Sequence, residues 1–308
     1  MKSAHILPRE VTQAKLDKRA KAGQRHRASQ TYTLAERVEA SALQFAQHPC
    51  IRYGDQQFSY SQANARMNQV AHAGHALGLR CGDVVALCME NRPAFLFAWL
   101  GLAKLGVKLV FLNTNVSGKP LVHAIESTGA KLILMGEECL GLLAATDTPA
   151  GLRYWLWPDA ENPAAAALRE RCELDFSQAM LQASESNPPV EWRAGLVAGD
   201  PALYIFTSGT TGLPKAAVIS HARWLITGDV MQTTMDVQPD DCFYCFLPLY
   251  HGAASLSAGA TALAAGACLL LRRKFSRTEF WSDVRQHRVT ICQYVGEICR
   301  FLLTVPEQ

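Results

Sequence analysis

Residues 204–220 read YIFTSGTTGLPKAAVIS, in which small and hydroxylated residues separate two apolar, strand-like segments. The six residues 207–212 are all Thr, Ser or Gly, and Leu213, Pro214 and Lys215 follow them. Glycine permits positive φ and close approach of the backbone, so successive N–H groups can form a concave site for an anion. The hydroxyls add donors, and Lys215 adds a compact positive charge. The stretch therefore predicts a phosphate-binding loop within a strand–loop–strand unit.

Two other kinds of segment have a similar composition. A plain polar turn between strands rarely holds six such residues followed by Pro and Lys. A Walker loop needs Gly-Lys-Ser/Thr at the start of a helix. Here Pro214 precedes the lysine, and Ala216 follows it ahead of the strand-like Ala-Val-Ile. The pattern favours a phosphate loop of the strand–loop–strand kind over both.

Outward from this loop, short apolar runs alternate with helical patterns from about residue 59. The predicted strands are 83–89, 108–112, 131–135, 203–206, 216–220, 242–247, 267–271 and 289–294. The predicted helices are 61–77, 93–106, 120–127, 222–235, 253–265, 276–287 and 297–303. Ser61 is the predicted cap of the first helix, and Ser276 with Glu279 has the spacing of a capping box. This alternation predicts an α/β protein with parallel sheets flanked by helices.

The chain divides into a basic extension at residues 1–30 and one domain over residues 31–308. Within that domain, prolines interrupt residues 144–200, which are less regular. Residues 184–200, SESNPPVEWRAGLVAGD, have the composition of a surface linker.

The basic extension is unlike the rest of the chain in charge. Residues 1–28 hold eight Lys or Arg against Glu10 and Asp17, a net +6, although the whole chain is only +3. A solvated helical extension is the favoured interpretation, because apolar residues are sparse for an interfacial helix. The alternative is peripheral attachment to an anionic membrane, since basic side chains are attracted to such surfaces.

Composition limits the remaining classes of protein. The chain is 49% hydrophobic and 19% charged, which indicates a globular protein with a substantial core. Its ten cysteines are scattered, so a reducing compartment and a cytoplasmic location are expected. Cys242 and Cys245 lie in an apolar run without a second pair, which indicates core residues and not a metal site. The apolar stretches 93–112 and 252–271 are predicted to be buried helix followed by buried strand, not membrane spans.

The loop also carries a resemblance. TSGTTGLPK, residues 207–215, resembles the phosphate-binding signature of the adenylate-forming (AMP-binding) family of acyl-CoA synthetases, luciferases and adenylation domains. Ala216 and Ala217, in place of the common Gly, resemble the branch of fatty acid transport proteins and very-long-chain acyl-CoA synthetases. Three further stretches are similar to that branch: LNTN at 112–115, LPLYH at 247–251 and QYVGEICR at 293–300. The chain is thereby identified as the N-terminal part of such an enzyme.

The resemblance implies ATP-dependent activation of a long- or very-long-chain fatty acid, first to acyl-AMP and then to acyl-CoA. ATP, Mg²⁺ and coenzyme A are the implied cofactors and co-substrates, with no nucleic-acid partner. By this resemblance the β- and γ-phosphates of ATP are bound by Thr207, Ser208, Gly209, Thr210, Thr211, Gly212 and Lys215.

An acyl and adenylate pocket is also implied, formed by Tyr250, His251, Tyr294, Gly296 and Glu297. His251 is the one catalytic candidate, although a lone histidine at a strand end is more often structural. For Glu297, a structural position near a helix N-terminus is an equally good interpretation. No protein metal ligand is predicted.

Several family segments are absent from the sequence: Tyr-Gly-x-Thr-Glu, Thr-Gly-Asp and the C-terminal lid with its lysine. We therefore expect the 308-residue chain to be truncated, to bind nucleotide weakly and not to form acyl-CoA alone. A degenerate or non-catalytic fatty-acid binding or uptake protein is the alternative function. The phosphate loop is evidence against that alternative, because a pure lipid binder does not need one.

Overall fold

The computed structural model describes residues 8–207 and 212–304. The helices are α1 Arg9–Gly23, α2 Leu34–Gln44, α3 Tyr60–Ala76, α4 Pro93–Ala103, α5 Lys119–Thr128, α6 Gly141–Ala144, α7 Ala166–Arg169, α8 Phe176–Leu181, α9 His221–Met235, α10 Ala260–Ala265, α11 Phe280–Gln286 and α12 Gly296–Leu302. The strands are β1 Pro49–Tyr53, β2 Gln56–Ser59, β3 Val84–Cys88, β4 Lys108–Phe111, β5 Leu132–Gly136, β6 Arg153–Trp157, β7 Leu174–Asp175, β8 Pro201–Thr207, β9 Lys215–Ser220, β10 Cys242–Cys245, β11 Cys268–Leu271 and β12 Ile291–Cys292. A π-helix spans Ala253–Gly259, and short 3₁₀ turns span Glu137–Cys139 and Val190–Arg193.

Two sheets organise the chain. A seven-stranded sheet has the order β7-β6-β5-β3-β4-β8-β9, and a five-stranded sheet has the order β12-β10-β11-β1-β2. Neighbouring strands are parallel except for β9 beside β8 and β2 beside β1, each at a sheet edge. The predicted α/β architecture of parallel sheets flanked by helices is confirmed, with one antiparallel edge strand in each sheet.

Both faces of each sheet are covered. In β3, Val85 and Leu87 belong to the largest hydrophobic cluster, whereas Ala86 and Cys88 belong to a second cluster with α5. Helices α11 and α12 contribute Phe280 and Ile298 to a third cluster on the outer face of the five-stranded sheet. Parallel strands buried on both faces explain why the sequence reads as continuous apolar runs.

Helix α4 lies at the centre of the largest cluster, and all of its residues are buried. It contacts β3 and β4 of the larger sheet, and it packs on α3, which in turn contacts β1 and β2 of the smaller sheet. Pro93 begins this helix, where its missing N–H is not needed. The predicted buried helix and strand at 93–112 are confirmed. No helix in the described ranges is long and apolar enough to cross a membrane.

Two predicted helix caps are wrong. Helix α3 is capped by Ser59, whose Oγ accepts from Gln62 N at 3.2 Å while Gln62 Oε1 accepts from Ser59 N at 2.9 Å. Ser61, the predicted cap, lies inside the first turn. Helix α11 begins at Phe280, so the Ser276 hydroxyl that accepts from Glu279 N belongs to the turn before the helix.

The irregular region 144–200 contains more order than its prolines suggest. Strand β6 pairs with β5 in parallel and buries Trp155. The stretch 184–200 differs from a solvated linker, because Arg193 is 4% exposed. Its guanidinium donates to Glu36 at 2.8 Å and to Glu39 at 3.2 Å. These partners lie on α2, too far away in sequence to be recognised from the segment itself.

The N-terminal segment is helical, as predicted, but it is also attached to the domain. Helix α1 packs on α9. Asp229 of α9 forms ion pairs with Arg25 at 3.5 Å and Arg37 at 2.8 Å, and its carboxylate accepts a hydrogen bond from His26 Nε2 at 3.1 Å. The predicted boundary at residue 30 therefore falls inside a packed segment.

The contact between α3 and α4 depends on Gly101. An added Cβ at this position would lie 2.6 Å from the Met67 carbonyl oxygen and 2.6 Å from Val70 Cβ. We expect Gly101→Ala to lower the free energy of unfolding by about 1–3 kcal/mol, because the two backbones would have to separate. Denaturant titration measures this difference. The control is Gly141→Ala in α6, where an added Cβ meets open space, and its stability should stay equal or rise. Equal stability of both variants would contradict the interpretation.

Asp229 predicts a pH-dependent contribution to stability. Burial alone would raise the pKa of Asp229, but hydrogen bonds from His26 and Arg37 and their charges lower it to about 2. The unfolded chain takes up this proton near the ordinary pKa of 3.8, so the stabilisation is complete above that pH and is lost as the pH falls toward 2. We expect Asp229→Asn to cost about 3 kcal/mol at neutral pH, with the difference from wild type shrinking below about pH 4.

Unfolding of wild type and Asp229→Asn across the acid range tests this. The exposed residue Asp240 supplies the matched control, Asp240→Asn, which should follow wild type at every pH. A constant difference between Asp229→Asn and wild type would show that the carboxylate charge is not what stabilises this contact.

Candidate functional site

A cavity of about 630 Å³ opens at the carboxyl ends of β4 and β8. Ligand sites of open α/β sheets commonly lie at this edge. Six apolar side chains line one part of the cavity: Phe111, Val116, Pro120, Leu121, Ala124 and Phe206. The predicted loop and the segment after β10 line the other part, together with an asparagine: Asn113, Thr207, Gly212, Pro214, Tyr250 and His251.

The predicted strand–loop–strand unit is confirmed. Strands β8 and β9 pair in antiparallel register, with Thr207 opposite Lys215. The Thr207 hydroxyl donates to the Lys215 carbonyl oxygen at 3.5 Å. Because a strand follows Lys215, the Walker interpretation is excluded. Four predicted phosphate ligands, Ser208, Gly209, Thr210 and Thr211, lie outside the described residues.

The residues at both ends of the loop, Thr207 and 212–215, lie within the described part of the chain. Gly212 has φ of +94°, in the left-handed region that glycine adopts without steric cost. Lys215 is exposed at the first position of β9, and Thr207 is exposed at the last position of β8. The unit therefore presents a hydroxyl, a glycine turn and a cation where β8 ends and β9 begins.

Tyr250 and His251 are brought to the same cavity by a turn after β10. Asn91, which is 2% exposed, holds that turn: its side chain accepts from Leu249 N at 2.7 Å and donates to the Leu247 carbonyl oxygen at 2.8 Å. The role of Asn91 was not predicted. A polar residue just beyond the buried strand β3 was the available signal, but its partners are more than 150 residues away.

The hydroxyl of Tyr250 is also fixed. It accepts a hydrogen bond from Asn115 Nδ2 at 3.0 Å, so the segment after β4 positions this ring. Burial raises the pKa of Tyr250, although hydrogen bonds from Thr114 and Asn115 oppose the effect. The phenol is therefore neutral at physiological pH.

His251 lies beside this ring, with ring centroids 4.5 Å apart, and part of it is exposed to the cavity. Partial burial lowers the pKa of His251 below its ordinary value, so the neutral imidazole predominates at pH 7. Its carbonyl oxygen accepts from the Ser255 hydroxyl at 3.0 Å, at the start of the π-helix. Single π-helical turns are frequent at functional sites. The backbone of His251 is thus held by the helix that follows it.

The other predicted pocket residues are not brought into this cavity. Tyr294, Gly296 and Glu297 are exposed and do not line it. Glu297 lies in the first turn of α12, where a carboxylate is favourable. This agrees with the structural interpretation of this residue.

The cavity has no carboxylate among its described lining residues. In the described part of the chain, no group of three His, Cys, Asp or Glu could hold a metal ion. Cys242 and Cys245 are buried with free thiols. The cavity thus combines hydrogen-bonding groups with an apolar wall, and Lys215 follows the lining residue Pro214 in the chain. This arrangement suits a ligand with an anionic part and an apolar part.

Comparisons with known proteins agree with this architecture. A family model described as AMP-binding enzyme matches residues 38–308. Long-chain fatty acid transport protein 2 of Rattus norvegicus is 37% identical over 265 residues, covering 84% of this chain and 41% of that protein. Long-chain fatty acid transport protein 6 of Homo sapiens is 34% identical, covering 88% of this chain and 43% of that protein. The chain spans about two fifths of the length of these relatives.

Solved structures give the same result. The inhibitor-bound N-terminal domain of FACL13 from Mycobacterium tuberculosis has a TM-score of 0.75 at 26% identity, covering 89% of this chain and 65% of that one. A Mycobacterium tuberculosis fatty acyl CoA synthetase has a TM-score of 0.75 at 25% identity, covering 89% and 51% of the two chains. The resemblance carried by residues 207–217 is confirmed, and the chain belongs to the family of AMP-binding enzymes.

Proposed function

We propose that the protein to which this chain contributes activates a long- or very-long-chain fatty acid with ATP, forming acyl-AMP and then acyl-CoA. The observation that carries this proposal is the β8–β9 unit, whose Thr207 and Gly212 line a cavity shared with His251. Lys215 pairs with Thr207 in the sheet register, directly beside that cavity wall. The names of the relatives support fatty acids as the class of substrate.

In this proposal the loop binds the β- and γ-phosphates of ATP, through Thr207, Ser208, Gly209, Thr210, Thr211, Gly212 and Lys215. Hydroxyls and backbone N–H groups donate to phosphate oxygens, and Lys215 supplies a positive charge. Reactions of this kind are accelerated chiefly by positioning and charge neutralisation, which a preorganised loop provides.

The first step joins a carboxylate oxygen of the fatty acid to the α-phosphorus of ATP and releases pyrophosphate. In the second step the thiol sulfur of coenzyme A attacks the acyl carbon, and AMP leaves. Mg²⁺ enters the proposal only as a counter-ion of the ATP phosphates, because the described residues offer no carboxylate cluster to hold it.

Tyr250 and His251 would lie beside the acyl adenylate. The hydrogen bond from Asn115 fixes the Tyr250 ring, and that ring limits the positions open to His251. A neutral imidazole can donate to one partner and accept from another, which suits an uncharged acyl carbonyl. Tyr294, Gly296 and Glu297 remain a proposed part of the acyl pocket, outside the cavity described above.

The alternative is a non-catalytic or degenerate protein that binds fatty acids for uptake. The transport-protein names of the relatives favour it, whereas a phosphate loop with its lysine does not. A cytoplasmic location, peripheral at the inner membrane face, is compatible with either function.

Lys215 tests the ligase proposal. In the complete gene product, we expect ATP–pyrophosphate exchange that depends on palmitate or a very-long-chain acid. Lys215→Ala should lower the rate about 100-fold, the size of effect expected when one charge-stabilising donor is lost. The exposed residue Lys131, outside the cavity, supplies the control Lys131→Ala, which should match wild type. Absence of exchange in a well-folded protein would reject the ligase and favour the fatty-acid-binding alternative.

His251 gives the proposal a pH signature. If the neutral imidazole is required, kcat/KM falls as the pH falls through the pKa of His251, which lies below its ordinary value of 6.5. We expect the acid limb of the exchange profile below that pH, and we expect it to disappear in His251→Gln. His48→Gln, at an exposed histidine away from the cavity, is the control and should keep the limb. An acid limb that persists in His251→Gln would assign it to another group.

A further inference from the structure

The N-terminal arm, defined here as residues 8–30, has a larger net positive charge than the whole chain. It contains seven basic residues: Arg9, Lys15, Lys18, Arg19, Lys21, Arg25 and Arg27. Against them stand Glu10 and Asp17, so the arm has a net charge of 7 − 2 = +5, although the whole chain is +3. The remaining residues therefore sum to −2. The excess of positive over negative charge is therefore concentrated in this arm.

The arm is fixed on the body of the protein. Ala22 is 0% exposed where α1 packs on α9. Asp229 of α9, itself buried, binds both Arg25 and His26. After the helix, Gly199 N donates to the Ala28 carbonyl oxygen at 2.7 Å. The position of α1 relative to the domain is thus defined by contacts at its C-terminal end.

The charges on α1 point away from any protein partner. All of its residues from Arg9 to Lys21 are exposed. In the described ranges, its five basic side chains take part in no ion pair. Two apolar side chains lie among them, Val11 with 41% of its surface exposed and Leu16 with 50%. A helix that is polar on all sides and held at one end has its charges available to an external surface.

We propose that the N-terminal arm binds the surface of an anionic phospholipid bilayer. Clustered Lys and Arg are attracted by the negative surface potential of such membranes, and their attractions add. Val11 and Leu16 are too few for deep insertion, so the contact is superficial, electrostatic and sensitive to salt. A single-stranded nucleic acid is a poorer partner, because α1 has no aromatic side chain on which bases could stack. This inference does not depend on the proposed enzymatic function.

Vesicle sedimentation with the 308-residue chain tests the proposal. The probes are vesicles of phosphatidylcholine with phosphatidylglycerol, and vesicles of phosphatidylcholine alone. We expect binding to the anionic vesicles only, with its loss at high salt. Each removed cation should weaken partitioning about fivefold, so the variant K15Q/K18Q/K21Q should lose about 100-fold.

The matched control removes three exposed cations from other faces, in the variant K131Q/R277Q/R300Q, and should bind almost like wild type. Because all six positions are exposed, both variants should fold, and circular dichroism verifies this. Three results would overturn the proposal: equal binding to neutral vesicles, unchanged binding of K15Q/K18Q/K21Q, or tighter binding to single-stranded DNA than to anionic vesicles.

Discussion

The close approach of α3 and α4 at Gly101 is the contact on which both sheets depend. Helix α4 has no polar face, so it is stable only where neighbours cover every side. Strands β3 and β4 cover one side, and α3 covers another while carrying the smaller sheet through β1 and β2. Trp99 extends the contact to α9 by packing against Trp224, with ring centroids 6.1 Å apart. A side chain larger than hydrogen at position 101 would push α3 away from α4, and the sheets that contact these helices would shift with them, since protein interiors transmit strain.

The site is a product of the same arrangement. Phe111 packs on Trp99 at the end of β4, and the residues that follow it, Asn113 to Asn115, leave the sheet toward the cavity. Strand β8 lies next to β4, so Thr207 arrives at the same edge. Asn91 then fixes the turn that carries Tyr250 and His251. Three segments distant in sequence thus meet where parallel strands end, which is the usual place for ligands in such sheets.

Much of this architecture was predictable, because local patterns determine it. Buried parallel strands give continuous apolar runs, and the glycines, hydroxyls and Lys215 of residues 207–215 identify their loop without reference to the rest of the chain. Contacts between distant residues were not predictable. Strand β6 follows a proline-rich segment, and its order comes from pairing with β5. From the sequence, Arg193 belongs to a segment with the composition of a linker. In the structure it forms ion pairs with Glu36 and Glu39, which lie far away in sequence. Helix α2 and strands β1 and β2 were also not predicted, because they precede the recognised alternation, which begins at about residue 59.

The π-helix at Ala253–Gly259 has a consequence for how this segment tolerates changes of length. A π-turn holds one residue more than an α-turn, so it corresponds to an insertion accommodated without breaking the helix. Removing one residue there would restore the ordinary pitch, and because the extra residue is taken up within the wider π-turn, the flanking segments would keep nearly the same rotation relative to each other. His251 lies on the N-terminal side of the π-helix, bonded to Ser255, while α10 is held by its packing on α9. In a homologue with one residue fewer in this segment, the histidine would still face the same wall of the cavity, whereas the same deletion within the regular helix α10 would rotate the residues on its two sides by about 100° relative to each other.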